Sequence, residues 1–414
     1  MKKGTFSRRS NDVLSSFLDT YKPIKGNKDY AVFDCDGTLL YGDTAVTVFE
    51  DQIEWLNYAF SPSEMESVFR TENEADWKKE IHGIPFSAML KPLITDYEYL
   101  WNNGFVSKDL NNHKRTDLWT NDPIFIDFRV RMNRIMMAVY LYYGYGACAY
   151  AAYSLFSGFT EDEYYQLCVL SHEKHEKIIG IQNAKIASPL SKEEAIIENG
   201  LHPIAEMRDL LQELRNVGID LYIVSASPEK TVQEAMARYK FPEGIKILSI
   251  GNKLDENGKI TPKKDTINKS YAIKTGKALT IKNSISPKYS GRGPILVAGD
   301  SEGDVAMLTA FKDTKISLLL NDGKNKETDL VKAIAIHQAD KHGAADGETI
   351  FLLEEKDTAQ AKLTKKQITA EKTPELADII KNLENGLSYS DLLERLHNND
   401  NYGDYDAYPG YHRF

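Results

Sequence analysis

Apolar positions along this chain fall into short runs that stop abruptly at acidic or hydroxyl residues, and helically spaced stretches separate the runs. The first run, YAVF at 30–33, leads into DCDGT at 34–38. A run so short and apolar throughout predicts a strand buried on both faces. Further on, MRDLLQELRNVG carries apolar residues at helical spacing and closes at Gly218, and LYIVSAS at 221–227 follows it. Helix, glycine, strand and polar loop in that order is the rhythm of a βαβ unit. A third run, PILVA at 294–298, passes directly into GDSEGD at 299–304. Together they predict an α/β fold with a doubly wound, Rossmann-like parallel sheet and its site at the strands' carboxyl ends. GIKILSIG and KIT flank DENG at 255–258, which predicts a hairpin.

Between the first run and the helix that starts near Glu206, aromatic residues and helical periodicity dominate, which predicts a mostly helical inserted domain. Within it, residues 135–159 carry no charge for 25 positions, long enough to span a bilayer. Tyr140, Tyr142, Tyr143, Tyr145, Tyr150 and Tyr153 lie along that stretch, with Gly144 and Gly146 at its middle, where a spanning helix would carry Leu, Ile and Val. A buried or cleft-lining helix is the favoured reading and a membrane span the lesser one. The segment after Thr358 is polar, and its end, NNDNYGDYDAYPGYHRF, has the content of a flexible tail. Tyr402, Tyr405, Tyr408, Tyr411 and Phe414 recur there every third residue, which reads as chance in a surface tail.

Composition narrows the function classes. With 51 Lys plus Arg against 61 Asp plus Glu, the net charge of −10 disfavours nucleic acid and anionic membrane as partners. Cys35, Cys148 and Cys168 are scattered, without a CxxC, so neither a disulfide framework nor a zinc site is expected. The N-terminus, MKKGTFSRRSNDVLSSF, lacks the apolar stretch of a secretory signal and predicts a cytoplasmic protein; an exported chain with its signal removed would read the same.

The chemistry concentrates at the strand ends. Asp34 and Asp36 sit two apart, so both carboxylates reach one pocket while amides of the following turn face it. One can attack phosphorus while the other protonates the leaving oxygen and later activates water. Asp300 and Asp304 add to Asp34 a cluster of hard oxygen donors with no basic residue beside them in sequence, suited to Mg²⁺ completed by a substrate phosphate. The twelve-residue EF-hand loop is absent. Ser225 offers a hydroxyl to a phosphate oxygen, and Lys277 could neutralise developing charge, with Lys274 and Lys282 as nearby alternatives. SHEKHE, with His172, Glu173, His175 and Glu176, is not HExxH and reads as an exposed helix face. No GxSxG is present, so a serine nucleophile is not expected.

In chain order, DxDGT, strand-ending Ser225, Lys277 and GDSxxD resemble the four motifs of the haloacid dehalogenase (HAD) superfamily of phosphatases. The resemblance implies an HAD core of residues 29–47 and 197–355 and a mainly α-helical cap domain at 48–196. Residues 1–28 would be an N-terminal extension and 356–414 a polar C-terminal one with a flexible tail. It makes Asp34 a nucleophile that becomes an aspartyl-phosphate and Asp36 the general acid and base. Mg²⁺ would be held by Asp34, the backbone carbonyl of Asp36, and Asp300, supported by Asp304. The phosphoryl group would meet Lys277, Ser225, Ala226, Gly37 and Thr38. An aspartate at 36 argues against dehalogenase chemistry.

The finer resemblance is to the phosphoserine phosphatase-like branch, and within it to bacterial phosphorylcholine phosphatase-like proteins. It rests on YGDTAVTVFEDQIEWLNYAF, IVSASPE, GDSEGDVAML and FSGFTEDEYYQL. Ser301 and Gly303 depart from the GDGxND of the phosphoserine enzymes. The implied activity is Mg²⁺-dependent hydrolysis of a small phosphomonoester resembling phosphocholine or phosphoethanolamine. Phosphoserine hydrolysis, phosphotransfer and a noncatalytic binding role are the alternatives. Trp55, Trp77, Trp101 and Trp119, with the insert's tyrosines, could cage a quaternary ammonium or could simply be core.

Overall fold

Seven strands form the central sheet: β1 (Tyr30–Phe33), β2 (Asp220–Ser225), β3 (Lys246–Ser249), β4 (Leu296–Gly299), β5 (Ile316–Asn321), β6 (Ile350–Asp357) and β7 (Lys362–Leu363). This computed structural model describes residues 6–23, 28–69, 80–81, 84–321, 328–340, 344, 347–364 and 374–397. The strand order is β3-β2-β1-β4-β5-β6-β7, parallel except for the β6–β7 pair. Without β7, this is the order of the doubly wound Rossmann arrangement, whose switch point falls between β1 and β4.

Alternation along each strand builds a core on both faces. Ala31, Phe33, Leu221, Ile223, Leu296, Ala298, Leu318 and Leu352 share one apolar cluster with Leu210, Leu211 and Leu214 of helix Ala205–Asn216. Tyr30, Val32, Tyr222, Val224, Val297, Leu319 and Phe351 belong to the opposite one, with Ile334 of helix Asp329–Asp340. Because side chains alternate with period two, a one-residue slip would exchange the two sets, and burial on both faces fixes the register. Ala31 accordingly pairs with Leu296 and Leu221. The runs ISLLL and IFLL, unassigned from sequence, are β5 and β6. The DENG turn does close a hairpin, from Asn252–Leu254 to Ile260–Lys264, but KILS lies outside it as sheet-edge strand β3.

The expected tail is in part structured. Helices Pro374–Glu384 and Tyr389–His397 bury Leu376, Ile380, Leu383 and Leu392 in the second core. Their apolar faces are amphipathic stripes that overall polarity conceals. Tyr402, Tyr405, Tyr408, Tyr411, Phe414 and Trp77 lie outside the described residues. At the other end, helix Arg8–Thr20 buries Leu14 and Leu18 against the first core.

Between β1 and β2 the chain leaves the sheet and returns. Leu40–Tyr41 and His202–Pro203 pair antiparallel, so the two crossings run side by side. Between them lie helices α1 (Thr44–Trp55), α2 (Phe86–Asn102), α3 (Pro123–Ser154) and α4 (Glu161–His175), followed by a hairpin of Gln182–Ala187 with Glu194–Asn199. Side-chain caps start three of the four helices. Asp43 caps α1 by accepting from Ala45 N and Val46 N, Asp122 caps α3 ahead of Pro123, and Thr160 with Glu163 forms a capping box on α4. Phe49, Ile53, Tyr97, Trp119 and Phe128 centre a separate apolar core. α1 runs through the expected boundary at 47/48, Glu194–Asn199 through that at 196/197, and β6 through that at 355/356.

The long uncharged stretch forms most of α3, which breaks at Gly144, where φ is 86° and ψ is 170°. That backbone conformation is open to glycine and closed to other residues. Among the described residues no helix is long and apolar enough to cross a membrane.

Glu50 on α1 is buried in the insert and accepts a hydrogen bond from Asn133 Nδ2 at 3.3 Å. Burial first, then the charges of Asp51 and Glu54, push its carboxyl up to about 8, against Arg129. In the unfolded chain Glu50 ionises near 4.5, so between that pH and about 8 only the folded state holds the proton, and stability falls as pH rises. Glu50→Gln is expected to remove that fall. Its melting temperature should match the parent near pH 4.5 and exceed it by several degrees at pH 8, as calorimetry at the two pH values will measure.

Candidate metal and phosphoryl site

The candidate site forms where β1 and β4 end side by side. Asp34 N donates to Ala298 O at 3.0 Å and carries the β1–β4 pairing one residue beyond the strand. A tight turn follows, with Leu39 N on Cys35 O at 2.7 Å and Gly37 at φ 76°. A Cβ on Gly37 would lie 2.0 Å from Asp300 Oδ2, so only glycine lets the two loops approach this closely. After β4, Asp304 Oδ2 accepts from Asp300 N at 2.9 Å and Ser301 N at 3.1 Å and closes the second loop.

Lys277 enters from the short helix Thr275–Thr280. Its Nζ stands 2.6 Å from Asp34 Oδ1 and 2.6 Å from Asp304 Oδ1, with all three side chains buried. Burial and then the Asp304 charge push the Asp34 carboxyl up, with Lys277 opposing. The two carboxylates in turn hold the Lys277 ammonium above its usual range. Asp34, Asp300 and Asp304 each offer an oxygen within 4.8 Å of the others, a group that could hold a metal ion. The donors are hard and anionic, as Mg²⁺ requires, and their mutual repulsion is what a divalent cation would relieve.

Asp36 points elsewhere. Its oxygens accept from Thr44 N at 2.8 Å and Ser227 Oγ at 2.5 Å. Burial and then Asp43 push its carboxyl up to about 7, although both hydrogen bonds pull the other way. The sequence pair predicts two carboxylates at one pocket, and both line the same cavity, but Asp34 belongs to the carboxylate group while Asp36 stands apart from it.

A cavity of about 300 Å³ opens over these groups, lined by Asp34, Asp36, Gly37, Ser225, Ala226, Lys277 and Asp300. Thr38 and Asp304 are fully buried behind it, and Thr38 Oγ1 donates to Asp300 Oδ1 at 3.3 Å. Lys274 lines the cavity and Lys282 is exposed away from it. Lys274 adopts φ 50° and ψ −122°, an unusual backbone for a non-glycine residue, directly before the helix that carries Lys277.

Lys356, Asp43 and Glu198 also line the cavity and Ser227 donates to Asp36, and sequence reading missed all four. Lys356 and Asp43 are single charges in otherwise ordinary polar contexts, and Ser227 is one serine among several. Three of the four tryptophans do not form a cage at the cavity: Trp55 and Trp119 are buried in the insert, Trp101 is exposed on α2, and among the described residues no tryptophan lines the cavity. Tyr140 and Tyr145, on either side of the break at Gly144, do line it, with ring centroids 6.4 Å apart and perpendicular planes. Periodicity cannot show this, because the break rotates one half of α3 against the other.

The SHEKHE histidines overturn the expectation of an exposed face. His172 and His175 are completely buried. His172 Nδ1 is bonded to Glu234 of helix Glu229–Arg238, and its Nε2 lies 3.3 Å from Thr44 O. His175 Nε2 lies 3.2 Å from Asp51 Oδ2, and its Nδ1 accepts from Gly200 N at 2.9 Å. Charged residues on both sides disguise a buried face that joins the insert to the sheet layer. The three cysteines are free thiols, Cys35 and Cys168 buried.

No protein-family model and no curated protein matches this chain. Among solved structures it is similar to a conserved functionally unknown protein from Anaerococcus prevotii DSM 20548, at TM-score 0.67 and 21% identity, over 88% of this chain and 98% of that one. A protein with unknown function from Bordetella pertussis Tohama I aligns at TM-score 0.37 and 12% identity, over 78% of this chain and 99% of that one. The likeness to the Anaerococcus protein is one of fold: this chain is a mixed α/β protein built on a seven-stranded, mostly parallel sheet.

Proposed function

We propose that this protein is a Mg²⁺-dependent phosphomonoesterase of the HAD type, in the phosphoserine phosphatase-like branch, acting on a small phosphorylated metabolite through an aspartyl-phosphate. The observation that supports this best is the division of labour around Lys277. Asp34 shares that ammonium with Asp304 beside Asp300, while Asp36 is held off by Thr44 and Ser227 in the same cavity.

Bound Mg²⁺, held by Asp34, Asp300 and the Asp36 carbonyl with Asp304 behind, would screen the carboxylates and let a dianionic phosphate approach them. An Asp34 oxygen attacks phosphorus and the ester P–O bond breaks. The leaving alkoxide takes the Asp36 proton. Asp36, now a carboxylate, removes a proton from water; that water attacks the same phosphorus, and inorganic phosphate leaves as the Asp34 carboxylate is restored. Ser225 and the amides after Asp34 and Ser225 would receive the phosphoryl oxygens, and Lys277 would balance the charge that develops. The helical insert would act as a cap, with α3 lying over the cavity through Tyr140 and Tyr145.

The cavity of about 300 Å³ has room for a phosphoryl group with a small alcohol portion beside it. Tyr140, Tyr145, Asp43 and Glu198 line it with two aromatic rings and two carboxylates, which favours an ammonium-bearing alcohol such as phosphocholine or phosphoethanolamine. Lys274 favours phosphoserine as the second reading, since among the described residues it has no ion-pair partner and could meet a carboxylate.

Phosphate release from phosphocholine, phosphoethanolamine, phosphoserine and an aryl phosphate, with Mg²⁺ and with excess chelator, tests the proposal. Release is expected only with the metal, and fastest with an amino-alcohol ester. Equal rates with and without chelator would overturn the metal's role. No turnover of any ester by folded, Mg²⁺-binding protein would leave a binding role instead.

A further inference from the structure

We infer that Lys356 is a resident cation of the candidate site, one that lowers its affinity for a divalent metal and raises its affinity for a phosphoryl anion. The inference rests on the reading that the Asp34, Asp300 and Asp304 group holds a metal and that the cavity holds a phosphate. Nothing in the four motifs assigns this lysine, which comes from the end of β6.

Its geometry is that of a built contact. The side chain is 3% exposed. Nζ donates to Gly37 O at 2.6 Å and to Asp300 Oδ2 at 3.0 Å, and so ties the loop after β1 to the loop after β4. Asp300 Oδ2 is the oxygen packed against the Cα of Gly37, so the ammonium, the glycine and the carboxylate form one tight corner. Lys356 also lines the cavity, where an anion would be.

The backbone around Lys356 is pinned as well, which keeps the root of the side chain at the site. Lys356 pairs with Leu363 across β6 and β7. Two residues on, Thr358 O accepts from Ile181 N at 2.9 Å. Next to it, a Cβ on Gly180 would fall 1.9 Å from Ala359 O, so the hairpin side of the insert sits directly on this segment.

Charge then decides the sign of the effect. The three carboxylates carry three negative charges, and Lys277 and Lys356 cancel two of them. A divalent cation therefore meets a weakly anionic site in place of a strongly anionic one, while the completed site is more positive toward phosphate. A lysine that only braced the loops would move both affinities in the same direction when lost. A resident charge moves them in opposite directions.

Calorimetric titration of the whole protein with MgCl₂, and then with inorganic phosphate at saturating Mg²⁺, tests this in the parent, Lys356→Gln and Lys356→Arg. Glutamine keeps a donor for Gly37 O and removes the charge. Lys356→Gln is expected to bind Mg²⁺ at least about fivefold more tightly and phosphate at least about fivefold more weakly. Lys356→Arg should keep both within about twofold of the parent. Loss of both affinities in Lys356→Gln, or no change in Mg²⁺ affinity, would overturn the inference while leaving the site reading intact. A parent protein that binds neither Mg²⁺ nor phosphate would overturn both. Should Lys356→Gln fail to fold, Lys356→Arg decides alone: a Mg²⁺ affinity changed by more than about fivefold at constant charge contradicts the electrostatic role.

Discussion

Asp34→Asn is expected to reduce turnover by at least about 10³-fold while leaving the fold intact. The amide keeps the volume of the side chain at the end of β1 and can still accept from Lys277 Nζ, which lies 2.6 Å from Asp34 Oδ1. It cannot supply an anionic oxygen to phosphorus. Burial raises the free energy of the ionised Asp34, so the neutral amide should also be tolerated or slightly stabilising in the metal-free protein. Two measurements separate chemistry from folding: the rate of phosphate release, and the melting temperature without metal. Rate loss with an unchanged or raised melting temperature is the expected pair. A variant that retains a tenth or more of the parent rate would remove Asp34 from the nucleophile's role, and Asp36, two residues on, would be the group to examine next.

Lys277→Met is expected to be the most damaging single change to stability in this region, costing roughly 3–5 kcal/mol. The ammonium sits between two buried carboxylates, and without it Asp34 and Asp304 face each other with no counter-charge. Asp304 also closes the loop after β4 through Asp300 N and Ser301 N, so its displacement spreads to the metal group. The sign with pH follows from the protons. Protonating either carboxylate relieves the repulsion, so the deficit should shrink as pH falls toward 5 and be largest above neutrality. Mg²⁺ should restore part of the stability, because it replaces the lost positive charge, without restoring activity. Denaturant unfolding at pH 5 and pH 8, with and without Mg²⁺, reads all four combinations. A deficit independent of both pH and metal would mean that Lys277 contributes packing alone.

What the residue pattern revealed was whatever is local. YAVF, LYIVS and LVAG announced strands because apolar runs of that length have few other fates, and the acidic and hydroxyl residues ending them lie at the carboxyl edge where parallel strands expose them. Asp34, Asp300 and Ser225 therefore emerged together, and Lys277 joined them through the order of the motifs. What remained hidden depends on approach in space. Lys356 belongs to a strand whose neighbour in sequence gives no sign that Gly37, more than three hundred residues earlier, will be its acceptor. His172 and His175 sit among charges that look solvated until Glu234 and Asp51 are placed against them. Tyr140 and Tyr145 became cavity residues through the break at Gly144. Of the tryptophans, Trp55 and Trp119 went to the insert's interior, because large rings fill cores well, and Trp101 to its surface.

The order of the sheet also bears on how the molecule is made. β1 leaves the ribosome before the other six strands of the sheet, yet both strands that flank it, β2 and β4, wait until the whole insert has been synthesised. The insert has an apolar core of its own and can collapse while the chain is still growing, whereas β1 has neither partner available. The carboxylate pair at its tip is therefore translated before the insert but assembled only after it. Every contact that gives Asp34 its setting, from Lys277 to Asp304, is a long-range one contributed by the second half of the chain.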